Sequence, residues 1–416
     1  MTVRVHYHSD CPSFAGCENM LANLLSDAEN RRKFDVSLSY RASPEYSAGL
    51  SRRVNLDFPV FPLVFPEPST ALPTPSSFPR LSRRVVRFAS RQVATYPLLV
   101  YEIRLLQRLF VKLAPDIVHI NNGGYPAALS ARAAAIAARR AGVRHVVMVV
   151  NNLAEAHRGG EFSLRSVTDS RVCRAVSRFV TGSVAAADRL QRVLHLSHGQ
   201  VIAIPNGIAL RNSTEGCADT LRRLGISPSD GVLLGVVALM EARKGHRVLL
   251  EAVRELSQHR EAMAPFTILL EGDGPLRGEL ERIVGAAGLA DRCRFLGPEV
   301  NVMNLIAALD VLVLPSVAHE DFPNVVLEAM GLGKAVIASR IAGTPEQIED
   351  GVTGLLVPPG DPRALASAIA RMVSDGAMRD AMGRAGRERF EERFTAPTAV
   401  RKYADLYQTL IAEGTS

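Results

Sequence analysis

From Val3 to Val357 the chain alternates short apolar runs with longer stretches of helical periodicity, and it does so twice over. Runs of four to seven apolar residues with no polar alternation suit strands covered on both faces, and the helical stretches between them suit right-handed crossovers. Such a rhythm leaves little room for anything except α/β folding around parallel sheets. Strands are expected at 3–8, 34–40, 116–121, 144–150, 178–182 and 200–205, with helices at 17–30, 125–141 and 183–195. Turn residues at Ile204-Pro205-Asn206-Gly207 and a polar run from Arg211 to Gly216 break the pattern, which sets a domain boundary there. The second series has strands at 232–238, 266–271, 292–296, 310–314, 335–339 and 353–357, with helices at 244–258, 275–288, 301–308, 324–333 and 361–374. Each half reads as its own doubly wound sheet, 1–207 and 208–394, and a final helix follows Thr395. Ligands of such sheets bind beyond the strand C-termini, so two facing sheets are expected to enclose an interdomain cleft.

Composition removes several other classes. Apolar residues make up 47% and charged residues 22% of the 416, the balance of a globular chain, and no apolar run reaches eighteen residues. The opening Met1-Thr-Val-Arg-Val-His-Tyr-His alternates like a strand and lacks a signal-peptide apolar core. Five cysteines (Cys11, Cys17, Cys173, Cys217, Cys293) without a C-x-x-C pair fit reduced thiols and a cytoplasmic protein, not a disulfide frame or zinc site. Charge is divided unevenly: residues 1–207 hold 26 Lys and Arg against 14 Asp and Glu, and residues 208–416 hold 23 against 28. A basic first half is expected to meet something anionic. Nucleic acid is an unattractive candidate, because basic residues interleave with aromatics in one segment only and no nucleic-acid motif is present. That segment, 80–112, sets eight basic residues against Glu102 alone at roughly helical spacing, and it follows a stiff loop with seven prolines in 59–79.

The sharpest local pattern is Pro315-Ser-Val-Ala-His-Glu320-Asp-Phe322-Pro323-Asn324-Val325-Val-Leu-Glu328. It leaves an apolar strand and enters a helix near Asn324, with Pro323 suited to a helix start. The first N–H groups of that helix favour an anion such as a diphosphate. Glu320 before the helix and Glu328 one turn inside it can accept hydrogen bonds from two separate polyhydroxylated groups. Lys244, in Glu241-Ala-Arg243-Lys244-Gly245, lies between a strand and a helix, where an ammonium could neutralise a leaving diphosphate. Gly272-Asp-Gly274-Pro imitates a dinucleotide fingerprint but follows the wrong strand for one, and a tight turn lining the site is the better reading. His119 is expected at the end of a strand, facing the cleft. No Asp-x-Asp pair occurs, so a metal bridging a diphosphate on that motif is not expected.

Glu320-x7-Glu328 with Phe322-Pro323-Asn324 resembles the E-x7-E motif of glycosyltransferase family 4, retaining nucleotide-sugar enzymes of the GT-B fold. The similarity extends through Gly272-Asp-Gly-Pro275, Phe295-Leu296-Gly297, Gly343-Thr-Pro-Glu346, Asp350-Gly-Val-Thr-Gly354 and Pro358-Pro-Gly-Asp361. In the first half it is sparser, resting on Phe14-Ala-Gly16-Cys-Glu18 and Pro205-Asn-Gly207. The resemblance implies two facing Rossmann-like domains, with 395–416 returning to the first. It implies a hexosyl transfer from a nucleoside-diphosphate sugar to a glycan or lipid-linked acceptor, without metal or other cofactor, in cell-surface polysaccharide or glycolipid synthesis. Glu320 would hold sugar hydroxyls and Glu328 the ribose. Donor contacts would come from Gly16, Gly272, Gly274, Leu296, Gly297 and the backbone of Phe322, Pro323, Asn324 and Val325. Lys244 would balance the leaving group. The family pairs this lysine with an arginine about six residues earlier, where this chain has Ala238, and Arg243 is the neighbouring cation that could replace it. His119 would join the catalytic set, with Asn122 and Asn151 toward the acceptor; Asn151 stands where the family often has a histidine. Residues 80–112 would bring the protein to an anionic membrane surface, at the inner face of the plasma membrane. A nucleotide-sugar epimerase is the alternative within this architecture, and a basic nucleic-acid- or membrane-binding protein a more distant one.

Overall fold

The computed structural model describes residues 2–413 apart from 12–13, 15, 67–79, 127, 156–163, 228–230 and 259–263, with backbone alone for 17, 80–94 and 164–166. Most of the proline loop and His157 therefore lie outside the described residues, as do the side chains that open the basic stretch. The chain forms two compact units, Met1–Ile204 with Val400–Ser416, and Pro205–Ala399.

The first unit is built on seven parallel strands, β1 (Val3–Ser9), β2 (Phe34–Arg41), β3 (Val60–Leu63), β4 (Ile117–Asn122), β5 (His145–Val150), β6 (Arg178–Thr181) and β7 (Val201–Ala203). Their spatial order is β3-β2-β1-β4-β5-β6-β7. β3 was not expected; Val60–Leu63 belongs to the segment read as a stiff loop. It pairs along β2 at the sheet edge, where Pro62 costs no central ladder bond. The helix Pro44–Arg53 was also unread, although its signals are ordinary: Ser43 accepts from the Tyr46 amide and Pro44 opens the first turn. The helix expected over 17–30 divides at Asp27, which leaves helical geometry and caps the second piece through the Asn30 amide. The basic stretch forms one long helix, Arg80–Leu113.

The second unit has six parallel strands, β8 (Val232–Val237), β9 (Phe266–Glu271), β10 (Cys293–Gly297), β11 (Val311–Leu314), β12 (Ala335–Ser339) and β13 (Leu355–Val357). Their order, β10-β9-β8-β11-β12-β13, reverses direction of growth between β8 and β11. Crevices at such a reversal collect the loops that follow the two central strands, and those loops carry Lys244 and Glu320. Apolar side chains from β8, β9, β11 and β12 fill both faces of the sheet against the surrounding helices. The helix Gly376–Arg393, capped by Asp375, was not read from the sequence; with six acidic or basic residues in its last seven positions, its buried side is carried by Met382, Gly383, Gly386 and Phe390. The terminal helix Ala396–Glu413 buries Tyr403, Tyr407 and Leu410. Among the described residues no helix is long and apolar enough to cross a membrane.

Candidate functional site

The site in the second unit starts with two loops locked together by their backbones. After β8 the chain makes a tight turn at Ala242–Lys244 and passes through Gly245 at φ 72°. A Cβ there would stand 1.8 Å from the Pro315 carbonyl oxygen, so this crossing admits only glycine. The Val317 amide donates to the Arg243 carbonyl at 2.8 Å, completing the lock. The loop after β11 is thereby held against the loop after β8, and their side chains converge. Lys244 Nζ forms an ion pair with Glu320 Oε1. Ser316 Oγ donates to the same oxygen at 2.9 Å, and Arg243 Nη1 lies 3.4 Å from it. Arg243 is shared: its Nη2 also donates to Glu241 Oε1 at 2.9 Å. Glu320 is buried, Lys244 and Arg243 half-buried.

The helix Asn324–Gly331 begins at Pro323, which supplies no capping side chain. Its entry is held from outside by Gln347 Nε2, which donates to the Pro323 carbonyl at 3.1 Å. Phe322 turns its ring into the core, edge-on to Phe394 at 5.6 Å between centroids, so only its backbone is left for a ligand. Asn324, Val325 and Glu328 stay partly exposed, and Glu328 lies 3.6 Å from Arg211. Sequence reading placed Arg211 in a linker and passed over Ser316 and Glu241. Their only signal was proximity in sequence to stronger motifs.

Gly272 and Gly274 form the tight turn expected after β9, and the fold itself requires both glycines. At φ 114° and 155° they pass so close to the previous loop that a Cβ would stand 2.3 Å from the Ala238 oxygen and 2.6 Å from the Met240 oxygen. The Met240 amide donates to Asp273 O at 2.8 Å, and the Leu276 amide to Met240 O at 3.0 Å. The glycines thus brace the loop that carries Lys244, and the space a Cβ would fill is taken by the protein's own backbone. Gly297, at φ 75°, ends β10 and accepts from the Gly272 amide at 3.1 Å; Leu296 packs on the apolar cluster beneath the site.

In the first unit the corresponding strand ends carry Gly16, Asn122 and Asn151. Gly16 starts a short turn, Gly16–Glu18, and among the described residues an added Cβ would meet no atom within 4 Å beyond its chain neighbours. The turn is anchored by Glu18, which is buried and accepts from Ser9 Oγ at 2.9 Å, Tyr46 Oη at 2.8 Å and Asn121 Nδ2 at 2.9 Å. Burial pushes its carboxyl above the usual range. Asn151 Nδ2 donates to Asn121 Oδ1 at 2.9 Å, so one network joins the ends of β1, β4 and β5. Asn122 spends its amide on the Gly124 carbonyl, 2.6 Å away, and is buried.

His119 must be withdrawn from the catalytic set. β4 runs on to Asn122, which puts His119 inside the strand, 1% exposed. Its Nδ1 is hydrogen-bonded to Tyr407 Oη at 2.7 Å, and the rings of Tyr7 and Tyr403 lie 5.0 and 5.5 Å away. Burial drives its pKa down to about 3. It is a neutral core group that secures the terminal helix. A second buried cluster, unread in the sequence, links Asp10 to Arg41 (3.1 Å) and to Ser130 (2.6 Å), with His8 bonded to Ser130 at 3.0 Å.

Comparison with known proteins fits this arrangement. Residues 231–375 match the family described as glycosyl transferases group 1, and residues 23–207 match the glycosyl transferase 4-like domain. The lipopolysaccharide core biosynthesis glycosyltransferase LpsD of Rhizobium meliloti is 33% identical over 45% of this chain, a stretch that spans 52% of LpsD. The 2-deoxystreptamine glucosyltransferase of Streptomyces kanamyceticus is 29% identical over 77% of this chain and 84% of its own length. Matches to several D-inositol 3-phosphate glycosyltransferases are shorter; that of Saccharomonospora viridis covers 59% of the relative. Among solved structures, Anabaena HepE in complex with UDP superposes with a TM-score of 0.75 at 21% identity, over 98% of this chain and 100% of HepE. A glycosyltransferase from Rickettsia africae gives 0.76 at 16% identity over 99% of both chains. At these identities the likeness establishes the fold, which is GT-B, with two Rossmann-like domains. Matched in both halves by glycosyltransferase domains, the chain belongs to the glycosyltransferases.

Proposed function

We propose that the protein is a retaining glycosyltransferase that moves a hexosyl group from a nucleoside-diphosphate sugar to a glycan or lipid-linked acceptor. The observation that carries this reading is the convergence of Lys244 and Arg243 on Glu320 at the β8/β11 reversal, beside the start of the helix Asn324–Gly331. One anion-binding helix start, two cations and one carboxylate match the parts of a sugar diphosphate in order. The diphosphate takes Lys244, with Arg243 next to it in place of the arginine the family has earlier. Sugar hydroxyls take Glu320, and the ribose takes Glu328.

The second unit is thus the donor domain and the first the acceptor domain, with Gly16 letting the backbone approach the donor phosphates and Asn122 and Asn151 toward the acceptor. Charge leaving with the diphosphate is balanced by side chains and amide dipoles, so no metal is needed. With His119 buried, the acceptor proton is assigned to the departing phosphate oxygen, which takes it on the face it leaves. The basic helix Arg80–Leu113 is proposed to meet an anionic membrane surface, where each basic residue contributes about 1 kcal/mol. Such a position suits synthesis of cell-surface polysaccharide or glycolipid.

Thermal denaturation with UDP-, GDP- and ADP-hexoses in EDTA tests the donor half. One nucleotide series should raise Tm, by about 2.7 kcal/mol of added stability at a hundredfold excess over Kd. Stabilisation by none of them, or only when divalent metal is restored, would refute the reading.

A further inference from the structure

The two groups assigned to opposite ends of the donor are bonded to each other. Lys244 Nζ, proposed to hold the diphosphate, is paired with Glu320 Oε1, proposed to hold the sugar. The side chains are 14% and 8% exposed, so little water would replace the partner if the pair opened. Ser316 Oγ, at 2.9 Å, and Arg243 Nη1, at 3.4 Å, address the same carboxylate oxygen. An ammonium drawn to a phosphate must loosen its hold on Glu320. A largely buried carboxylate that loses its cation is costly unless new donors arrive.

A bare nucleoside diphosphate supplies none, whereas a sugar-charged one brings hydroxyls to that carboxylate. We infer that the Lys244–Glu320 pair is a specificity device: it penalises binding of the bare nucleotide and releases that penalty only when a sugar is attached. The inference rests on the donor-site reading above and adds a consequence to it. Once the sugar has been transferred, Glu320 loses the sugar's donors and recaptures Lys244, which weakens the grip on the nucleoside diphosphate and favours its departure. The pair therefore helps the site to prefer substrate over its own by-product.

The test is calorimetric titration of UDP, GDP and ADP, and of their hexose conjugates, into the wild-type protein and the Glu320→Gln variant. For the nucleotide that binds, Glu320→Gln frees Lys244 from its rival, so affinity for the bare diphosphate should rise about tenfold, while affinity for the sugar conjugate falls. The ratio of the two affinities then moves by more than tenfold toward the bare nucleotide. Adding Lys244→Met to Glu320→Gln should erase the gain, because the gain acts through that ammonium. If Glu320→Gln does not fold, Glu320→Asp, which shortens the arm, carries the same expectation. Bare-diphosphate affinity that is unchanged or weakened in the variant would overturn the inference and leave the donor site standing. Absence of any nucleotide binding by the wild type would instead remove the reading beneath it.

Discussion

Replacement of Lys244 by Met is expected to lower kcat/KM for sugar transfer by about 10³, with the loss falling mainly on kcat. The argument begins with position. Gly245 fixes the backbone next to Lys244 against Pro315, and the glycine loop after β9 braces the same turn from the other side. The ammonium is thus delivered to a half-buried place where its field is poorly screened. Charge on a departing diphosphate grows as the glycosidic bond breaks, so the contact is stronger in the transition state than before it. Arg243→Met should cost less, about tenfold, because Arg243 is 30% exposed on its side chain and already shared with Glu241. Steady-state assays of both variants with the wild type's own donor check the order. Equal losses, or a Lys244→Met change confined to KM, would contradict this division of labour.

The second large effect is expected from Gly245→Ala. A methyl group at φ 72°, 1.8 Å from the Pro315 oxygen, cannot be placed without moving one of the two loops. Backbone strain of this kind costs about 1–3 kcal/mol, which lowers Tm by about 2–4 °C per kcal/mol in a unit of this size. Turnover should fall further than stability does, because the displaced backbone carries Lys244 and the Pro315 end of the motif. Gly16→Ala is the contrast: with no atom of the described residues within 4 Å beyond its chain neighbours, it should leave Tm unchanged. Differential scanning calorimetry on the two variants separates them, and equal Tm values would show that the two loops are not locked as described.

The elements of the fold were legible where burial dictates composition. The central strands of each sheet are covered on both faces, so they appear as largely apolar runs, and the expected bounds of β5, β11 and β12 differ from the observed ones by no more than one residue. What escaped was held by other forces. β3 contains proline and survives because it lies at an edge. The helix Pro44–Arg53 is short, with only Tyr46 and Leu50 buried, so periodicity gives way to its capping signals.

For the site, residue types at fixed spacing pointed to Glu320, Glu328 and Lys244, since their chemistry depends on a local strand-to-helix passage. Contacts between distant segments were not legible. Arg243 reaches Glu320 through the meeting of two loops 77 residues apart in the chain. His119 was misread for the same reason. Pairing with β5 that continues past His119 to Asn122, and a tyrosine 288 residues away, convert a strand-end polar group into core. The glycines Gly272 and Gly274 were recognised as necessary, but the partner that needs them is the neighbouring loop.

A crystal structure with the nucleotide selected by thermal screening shows directly where a sugar diphosphate sits. The expected result places a phosphate oxygen within about 3 Å of Lys244 Nζ, with the phosphates at the start of the helix Asn324–Gly331 and Lys244 parted from Glu320. A nucleotide bound elsewhere, with the Lys244–Glu320 pair undisturbed, would contradict it.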